Sequence, residues 1–160
     1  MDAETRFASG SSSKAFTAFG LAVLAEEGKL DWDRPVREYM PEFKMYDPYA
    51  TEQMNAIDLM THRSGLPRHD FSWYGSTASR EELLARLPYL EPSEAFRTKW
   101  QYQNFMFMTA GMLAGRLDNS SWEKVTQTRI LDPLGMDQTS LSLSGLQNGD
   151  NASLGYEWNK

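Results

Sequence analysis

Ser11 and Lys14 are the residues whose types and spacing most directly suggest chemistry. They form an S-x-x-K segment, and at this spacing two side chains leave the same face of a helix, so the lysine amine can reach the serine hydroxyl. A serine beside a base is a candidate nucleophile. We therefore predict that Ser11 is a nucleophile. The alternative is that residues 11–13 form a polar helix cap and that Lys14 is solvated.

The element that must position this pair is an amphipathic helix. Its apolar side recurs at helical spacing, at Phe16, Phe19, Gly20, Val23 and Leu24. Gly28 is a stop signal, so we predict a helix over about residues 11–27 with Ser11 in its first turn. The unpaired N–H groups and the positive end of the helix dipole would favour an alkoxide there.

A second S-x-x-K segment, at Ser121 and Lys124, shows that the spacing alone is not specific. Here Ser120 is followed three residues later by Glu123, which is the pattern of a capping box at a helix start. We predict that Ser120 is the N-cap of a helix over about residues 121–131 and that this second segment is structural.

Tyr102 and Asn104 form a further candidate pair, immediately before a nearly all-apolar segment at residues 105–115. A phenol can exchange protons with a serine, and an amide can hold a carbonyl substrate. Lys14 could supply the positive field that makes a tyrosine a useful base. The alternative is that Tyr102 is a core aromatic and that Asn104 is the N-cap of a buried helix.

Other catalytic designs have less support. A Ser-His-Asp triad could use His62 or His69 with Asp58 or Asp70, but no serine lies in a G-x-S-x-G elbow. Only two histidines are present and H-E-x-x-H is absent, so we expect no metal. Phosphate-binding glycine motifs are also absent, so we expect no nucleotide and no other cofactor.

The composition excludes several classes of partner. The chain has 160 residues, a length that suits one domain, and it has no cysteine. Its formal net charge of -6 argues against a nucleic-acid partner, because such binding relies on Lys and Arg neutralising phosphates. We expect no membrane partner, because no segment approaches the ~20 apolar residues that span a bilayer. Residues 1–6 do not have the pattern of a signal peptide. We expect a soluble chain without a secretion signal, and the localisation stays unknown.

Helix signals dominate the chain, and alternating strands are few. Asp33 is a plausible N-cap of a short helix that ends at Pro41, and residues 43–52 read as an irregular loop. Asn55 is predicted to cap a helix over residues 56–62 with Ile57, Leu59 and Met60 inward. Ser79 and Glu82 form a capping-box pattern before the next helix.

Five segments, in order along the chain, resemble the serine β-lactamase-like family, which includes class C β-lactamases, D-alanyl-D-alanine peptidases and related esterases. They are F-A-S-G-S-S-S-K (7–14), A-E-E-G-K-L-D (25–31), L-M-T-H-R-S-G-L-P (59–67), W-Q-Y-Q-N (100–104) and D-P-L-G-M (132–136). The resemblance implies that Ser11 forms an acyl-enzyme with an amide, ester or β-lactam, and that Lys14 and Tyr102 share the proton transfers. It also implies that Asn104 positions the substrate, and it leaves the acylation base open between Lys14 and Tyr102.

One family motif is missing. The K-T-G or H-x-G strand, which supplies the second oxyanion donor, does not follow Asn104. We therefore predict a mainly α chain, the helical portion of an α/β (α+β) β-lactamase-like fold that lacks most of its sheet. Its single partial domain over residues 1–160 would have a nucleophile helix at about 11–27, a helical subdomain at about 30–136 and a weakly specified tail at 137–160.

Two functions remain open from the sequence. The first is a serine acyl hydrolase or transferase acting on a small-molecule acyl substrate. The second is a non-catalytic helical module that self-associates, through the surface left by the missing sheet, or that needs a partner supplying the missing strands.

Overall fold

Two long helices, α1 (Lys14–Glu26) and α6 (Asn104–Leu117), pack against each other at the centre of the fold. This arrangement is seen in a computed structural model that describes residues 2, 5–147, 149, 151–153 and 155. The shorter helices of the described residues are α2 (Val36–Tyr39), α3 (Pro48–Gln53), α4 (Ala56–Met60), α5 (Arg80–Leu84), α7 (Trp122–Thr126) and α8 (Leu143–Gln147). The described residues also contain 3-10 turns at Gly10–Ser13, Asp70–Ser72 and Leu87–Tyr89 and a π-helix at Gln127–Leu131.

The core forms where the apolar face of α1 meets α6. Leu21 and Leu24 are fully buried against Met106 and Leu113, as the all-apolar composition of α6 predicts. Burial of each such side chain stabilises the fold by about 1.5 to 3 kcal/mol. The helices that carry Lys14 and Asn104 therefore pack directly against each other.

Helix α7 crosses both long helices and fixes their separation. A Cβ atom on Gly115 would lie only 3.0 Å from the Cα of Ser121, so this glycine permits the close approach of α7 to α6. On the other side, the Trp122 indole N–H donates to Thr17 Oγ1 of α1 at 2.9 Å. Removing either contact would loosen the helix pair beneath the site.

The prediction of a mainly helical structure is confirmed. Within the described ranges, extended backbone pairs only at two isolated bridges, Arg6 with Ala152 and Pro35 with Asn55. None of the helices described is long and apolar enough to cross a membrane.

Local capping signals explain two of the short helices. Asn55 Oδ1 accepts from the Asp58 N–H at 3.1 Å, and Asp58 Oδ2 accepts from the Asn55 N–H at 3.0 Å. Ser79 and Glu82 make the same reciprocal pair at the start of α5. Each capping box satisfies backbone donors that a helix start would otherwise leave unpaired.

Helix α3 lies where a loop was predicted at residues 43–52. Pro48 is not a breaker here, because it occupies the first turn, where its missing N–H costs nothing, and Asp47 caps the helix by accepting from the Tyr49 N–H at 2.8 Å. The predicted cap at Asp33 is also wrong. The helix begins at Val36, because Pro35 is held extended by its bridge to Asn55.

Two further predictions differ from the structure by local register. Ile57 is 43% exposed, and the inward face of α4 is formed by Ala56, Asp58 and Leu59. The N-cap of α7 is Ser121 and not Ser120, because Ser121 Oγ accepts from the backbone N–H three residues on, at 3.2 Å. The predicted helix over residues 121–131 continues as the π-helix to Leu131.

The predicted tail at 137–160 is only partly described. Helix α8 forms within it, and the Arg6 N–H donates to the Asn151 carbonyl at 2.9 Å, which joins the tail to the segment before the 3-10 turn at Gly10–Ser13. Residues 148, 150, 154 and 156–160 of the tail lie outside the described residues.

Candidate active site

Ser11 lies in a 3-10 turn that runs directly into α1. The turn is Gly10–Ser13, and Gly10 enters it with a positive φ of 52°. This left-handed conformation favours glycine. The predicted nucleophile helix is therefore present as a short 3-10 turn followed by an α-helix, and the Ser11 side chain is exposed at its start.

The hydroxyl of Ser11 is hydrogen-bonded to two other candidate residues. Lys14 Nζ donates to Ser11 Oγ at 3.1 Å, and Ser11 Oγ shares a short hydrogen bond with the Tyr102 hydroxyl. Lys14 Nζ also donates to Asn104 Oδ1 at 2.8 Å. The structure therefore brings together all four predicted site residues, although Tyr102 and Asn104 are far from Ser11 in sequence.

Asn104 takes its place as the first residue of α6. The N-cap of this helix is Gln103, whose Oε1 accepts from the Phe105 N–H at 2.8 Å, so the alternative that Asn104 is the cap is wrong. Because Gln103 caps the helix, the Asn104 side chain is left to face Lys14.

Tyr102 lies in one of two loop segments, 62–67 and 93–103, that are joined by hydrogen bonds. The Gly65 carbonyl accepts from the Ser93 N–H at 3.0 Å and from the Gln101 amide at 3.0 Å. Gly65 has φ +86°, and a Cβ atom there would lie 2.4 Å from the Glu94 carbonyl oxygen, so no other residue fits without a backbone shift. This explains why a glycine stands at this point of the loop.

An ion pair anchors the second of these segments to α4. Arg97 donates to both carboxylate oxygens of Asp58, from Nε at 2.8 Å and from Nη2 at 2.6 Å. This bidentate geometry is the strongest that a guanidinium offers a carboxylate. Asp58 therefore both caps α4 and positions the segment that carries Tyr102.

Positive charge surrounds the Tyr102 ring. Lys14 Nζ lies 4.8 Å and the Arg68 guanidinium 5.1 Å from the ring centroid. Burial acts to raise the pKa of Tyr102, but the contacts with Lys14 and Ser11 and the charge of Arg68 outweigh it, so the pKa is lowered. Lowering the pKa of a phenol increases the fraction that is deprotonated at neutral pH, which is the form that can accept a proton.

A cleft adjoins each of the two side chains that are hydrogen-bonded to the Ser11 hydroxyl. The larger, of about 600 Å³, adjoins Tyr102 and is lined by Pro67, Arg68, Lys99, Trp100 and Gln101. The smaller, of about 200 Å³, adjoins Lys14 and Asn104 and is lined partly by Phe107, Met108 and Trp122. A carbonyl compound at Ser11 could therefore extend in both directions.

Comparison with known proteins agrees with the resemblance seen in the sequence. The Beta-lactamase family matches residues 1–160. The chain belongs to this family. It is 33% identical to the protein named Unguisins hydrolase ungD' of Aspergillus campestris over 98% of this chain, and it spans 31% of that protein's length.

Solved structures agree with the fold of this family member. The octameric penicillin-binding protein homologue of Pyrococcus abyssi superposes with a TM-score of 0.76 at 24% identity, over 94% of this chain and 36% of that chain. The D-amino acid amidase of Ochrobactrum anthropi SV3, complexed with L-phenylalanine amide, gives a TM-score of 0.70 at 26% identity, over 85% of this chain and 38% of that chain. The prediction that the chain is a helical portion of this fold is confirmed.

The alternative Ser-His-Asp arrangement does not form in this β-lactamase-family chain. In the part of the chain that the structure describes, neither imidazole ring is hydrogen-bonded to a serine hydroxyl. The His62 ring accepts from the Gln103 N–H, and the His69 ring lies 3.4 Å from the Glu91 carbonyl. Asp58 is bound to Arg97, and Asp70 to Arg68.

Sequence reasoning missed two residues beside Tyr102. Arg68 contributes charge to the Tyr102 ring, and His62 stacks on that ring with centroids 4.7 Å apart. Residue 62 lies within one of the five segments that carried the family resemblance. That segment could have indicated a role near the site, but nothing in its spacing points to Tyr102.

Proposed function

We propose that Ser11 is the nucleophile of a serine acyl hydrolase or transferase that acts through an acyl-enzyme. The observation that supports this best is that Ser11 Oγ is hydrogen-bonded both to Lys14 Nζ and to the Tyr102 hydroxyl. Either partner, in its deprotonated form, can accept the serine proton as the hydroxyl attacks. The acylation base stays open between them.

The proposed reaction has two steps. Ser11 Oγ bonds to the carbonyl carbon of the substrate, and its proton passes to Lys14 or Tyr102. The bond to the leaving group then breaks, and the leaving amine or alcohol takes that proton. Water, or another nucleophile in a transferase, next attacks the acyl carbon and releases the acyl group, and a proton returns to Ser11 Oγ.

Asn104 has a positioning role in this proposal. Its Oδ1 accepts from Lys14, and its amide NH₂ can donate to a substrate carbonyl at the same time. The oxyanion would be held by the Ser11 backbone N–H together with a donor from a strand. The described residues form no sheet, and loss of one oxyanion donor slows such reactions by about 10²- to 10³-fold. We therefore expect slow turnover by this chain alone.

Amides are the substrate class that the comparisons favour. One relative is named as a hydrolase of unguisins, and a structural relative is a D-amino acid amidase with a phenylalanine amide bound. The chain spans 31% and 38% of these two proteins, so the preference is part of the proposal. The cleft beside Tyr102 and the cleft beside Lys14 and Asn104 would receive the two sides of the amide.

Covalent labelling tests the nucleophile. Incubation with a penicillin or a fluorophosphonate should add one acyl or phosphonyl group, measured by intact mass, and Ser11→Ala should abolish the adduct. Ser121→Ala is the matched control, because it removes the serine of the other S-x-x-K segment and should label like the wild type. An adduct that persists in Ser11→Ala, or no adduct with any reagent at high concentration, would contradict the proposal.

A second candidate function is the non-catalytic helical module that self-associates. It is supported by an apolar groove of about 560 Å³ between the segment before α1 and the segment after the π-helix. The apolar side chains of this groove include Phe7, Phe16, Trp122, Leu131, Met136 and Leu146. Sedimentation velocity at increasing concentration should show dimers or larger species. A compact monomer that binds no hydrophobic dye would contradict this candidate.

A further inference from the structure

The ring of His62 packs against the ring of Tyr102 and is buried. Its ring centroid is 4.7 Å from that of Tyr102 and 5.2 Å from that of Phe107, and the residue is only 9% exposed. A buried titratable ring packed on a site residue is a candidate for a role in the reaction.

The hydrogen bonds of His62 fall on both sides of Tyr102. Its backbone carbonyl accepts from the Gln101 N–H at 2.7 Å, and its ring Nδ1 accepts from the Gln103 N–H at 3.1 Å. We propose that His62 is the positioning residue of Tyr102, and that it fixes the phenol against Ser11 by holding the backbone immediately before and after it. The positioning role of His62 rests on the proposed function, in which Tyr102 is a proton-transfer group.

The backbone of His62 supports a specific role. Its φ is +59°, a left-handed conformation that is uncommon for residues other than glycine, although histidine adopts it more readily than most. Such a conformation costs free energy and persists only where surrounding contacts hold it. Here it allows one residue to present both its carbonyl and its ring nitrogen to the segment that carries Tyr102.

The positioning role requires a neutral ring. Nδ1 must keep its lone pair to accept the Gln103 N–H, so the ring proton belongs on Nε2. The charged group that acts on the ring is Lys14, and the titratable group packed against it is Tyr102. Burial and the charge of Lys14 lower the pKa of His62, which keeps the ring neutral near pH 7.

Two variants separate the hydrogen bond from the bulk of the ring. In His62→Asn, the side-chain oxygen takes the position of Nδ1 and can still accept from the Gln103 N–H, and asparagine tolerates positive φ. In His62→Phe, a flat ring remains but the acceptor is lost. His69 provides the matched control, because it also has positive φ, at 49°, and its ring does not contact Tyr102.

The first readout needs no substrate. Hydrogen exchange of the Gln103 amide should be about tenfold or more faster in His62→Phe than in the wild type, because its acceptor is gone, and close to wild type in His62→Asn. His69→Phe and His69→Asn should leave it unchanged. Equal protection in both His62 variants would overturn the proposal, whether or not the chain acylates.

The second readout is the rate of acyl-adduct formation. We expect a fall of about 10- to 100-fold in His62→Phe, since misplacement of a reacting group slows reaction by this order, and a smaller fall in His62→Asn. A His62→Phe variant that acylates like the wild type would overturn the role. If the wild type forms no adduct while the exchange result holds, then the proposed function fails and the contact between His62 and Gln103 stands.

A wild-type measurement covers the case in which His62→Phe does not fold. Long-range ¹H–¹⁵N correlation spectra of the imidazole at pH 7 should show a neutral ring with its proton on Nε2. A charged ring, or a proton on Nδ1, would overturn the proposal.

Discussion

The two S-x-x-K segments of this chain have the same spacing and put their serine hydroxyls to different uses. Ser11 Oγ accepts from the Lys14 side chain at 3.1 Å, whereas Ser121 Oγ accepts from the backbone N–H of Lys124 at 3.2 Å. The first hydroxyl is therefore available for chemistry, and the second is used to cap α7.

Backbone conformation explains this difference. Ser121 has φ -125° and ψ 165°, the extended conformation that turns an N-cap side chain back onto the first turn of its helix. Ser11 lies inside a 3-10 turn that continues into α1, so its side chain points outward beside that of Lys14, one turn later. A serine inside the first turn of a helical segment can meet a lysine one turn later, whereas a serine at the N-cap turns its hydroxyl back onto the backbone.

The surroundings of the two serines also differ. Ser11 meets Tyr102, which a distant loop brings to it, while Ser121 packs against the backbone of α6 at Gly115. The spacing of a motif thus specifies which two residues can meet, and the tertiary contacts decide whether a third group joins them.

The largest expected effect comes from replacing the two lysines in parallel. Lys14→Met should slow acyl-adduct formation by about 10²- to 10⁴-fold, because it removes a proton-transfer group and the contact that holds Asn104. Lys124→Met should leave the rate unchanged. Intact-mass time courses measure both, and equal rates in the two variants would remove the functional distinction between the segments.

The helices with local start signals were predictable from the sequence. The caps at Asn55 and Ser79 are formed by reciprocal contacts between residues three apart. Residues close together in the sequence therefore suffice to predict these helix starts. The cap of α7 differs from the prediction by one residue, because Ser120 and Ser121 both precede a plausible helix start. Helix α3 replaces part of the predicted loop, because Asp47 and Pro48 together form a start signal.

The sequence predicts four candidate site residues, and the structure shows by which contacts the fold brings them together. Spacing placed Lys14 beside Ser11, and the family resemblance pointed to Tyr102 and Asn104. The approach of Tyr102 depends on His62 and Arg97, two residues with positive φ. The sequence gives little sign of such a conformation at an arginine, and only a weak preference for it at a histidine, because tertiary contacts hold these residues there.

The next largest effect is on the free energy of unfolding. Here the substitution of Ser121 should cost more than the substitution of Ser11. Ser121→Ala should lower the free energy of unfolding by about 1 kcal/mol, because it leaves the Lys124 N–H without its cap. Ser11→Ala should change it by less than about 0.5 kcal/mol, since Ser11 is exposed and caps nothing. Urea unfolding of both variants measures this. A larger loss in Ser11→Ala would contradict the assignment.

The smallest expected effect is a difference in how acid destabilises the two regions. His62, beside the first segment, has a pKa lowered by burial and by Lys14, so the unfolded chain binds its proton more readily. The neutral His62 ring contributes fully to stability above about pH 6.5, the pKa of histidine in the unfolded chain. This contribution is lost as the pH falls toward the lower pKa that His62 has in the folded chain. Glu123, beside the second segment, has its pKa lowered by the hydrogen bond from Arg80. That contribution is lost only below about pH 4.5.

Urea unfolding between pH 7 and pH 5 isolates the first of these two windows. The wild type should lose stability across this range, and His62→Asn should show a smaller slope, because it lacks the titrating ring. Glu123→Gln should keep the wild-type slope over the same range and differ from the wild type only at lower pH. Parallel slopes for the wild type and His62→Asn would show that the ring beside Lys14 is not held neutral by the fold, and the environments of the two segments would then differ less than their geometry indicates.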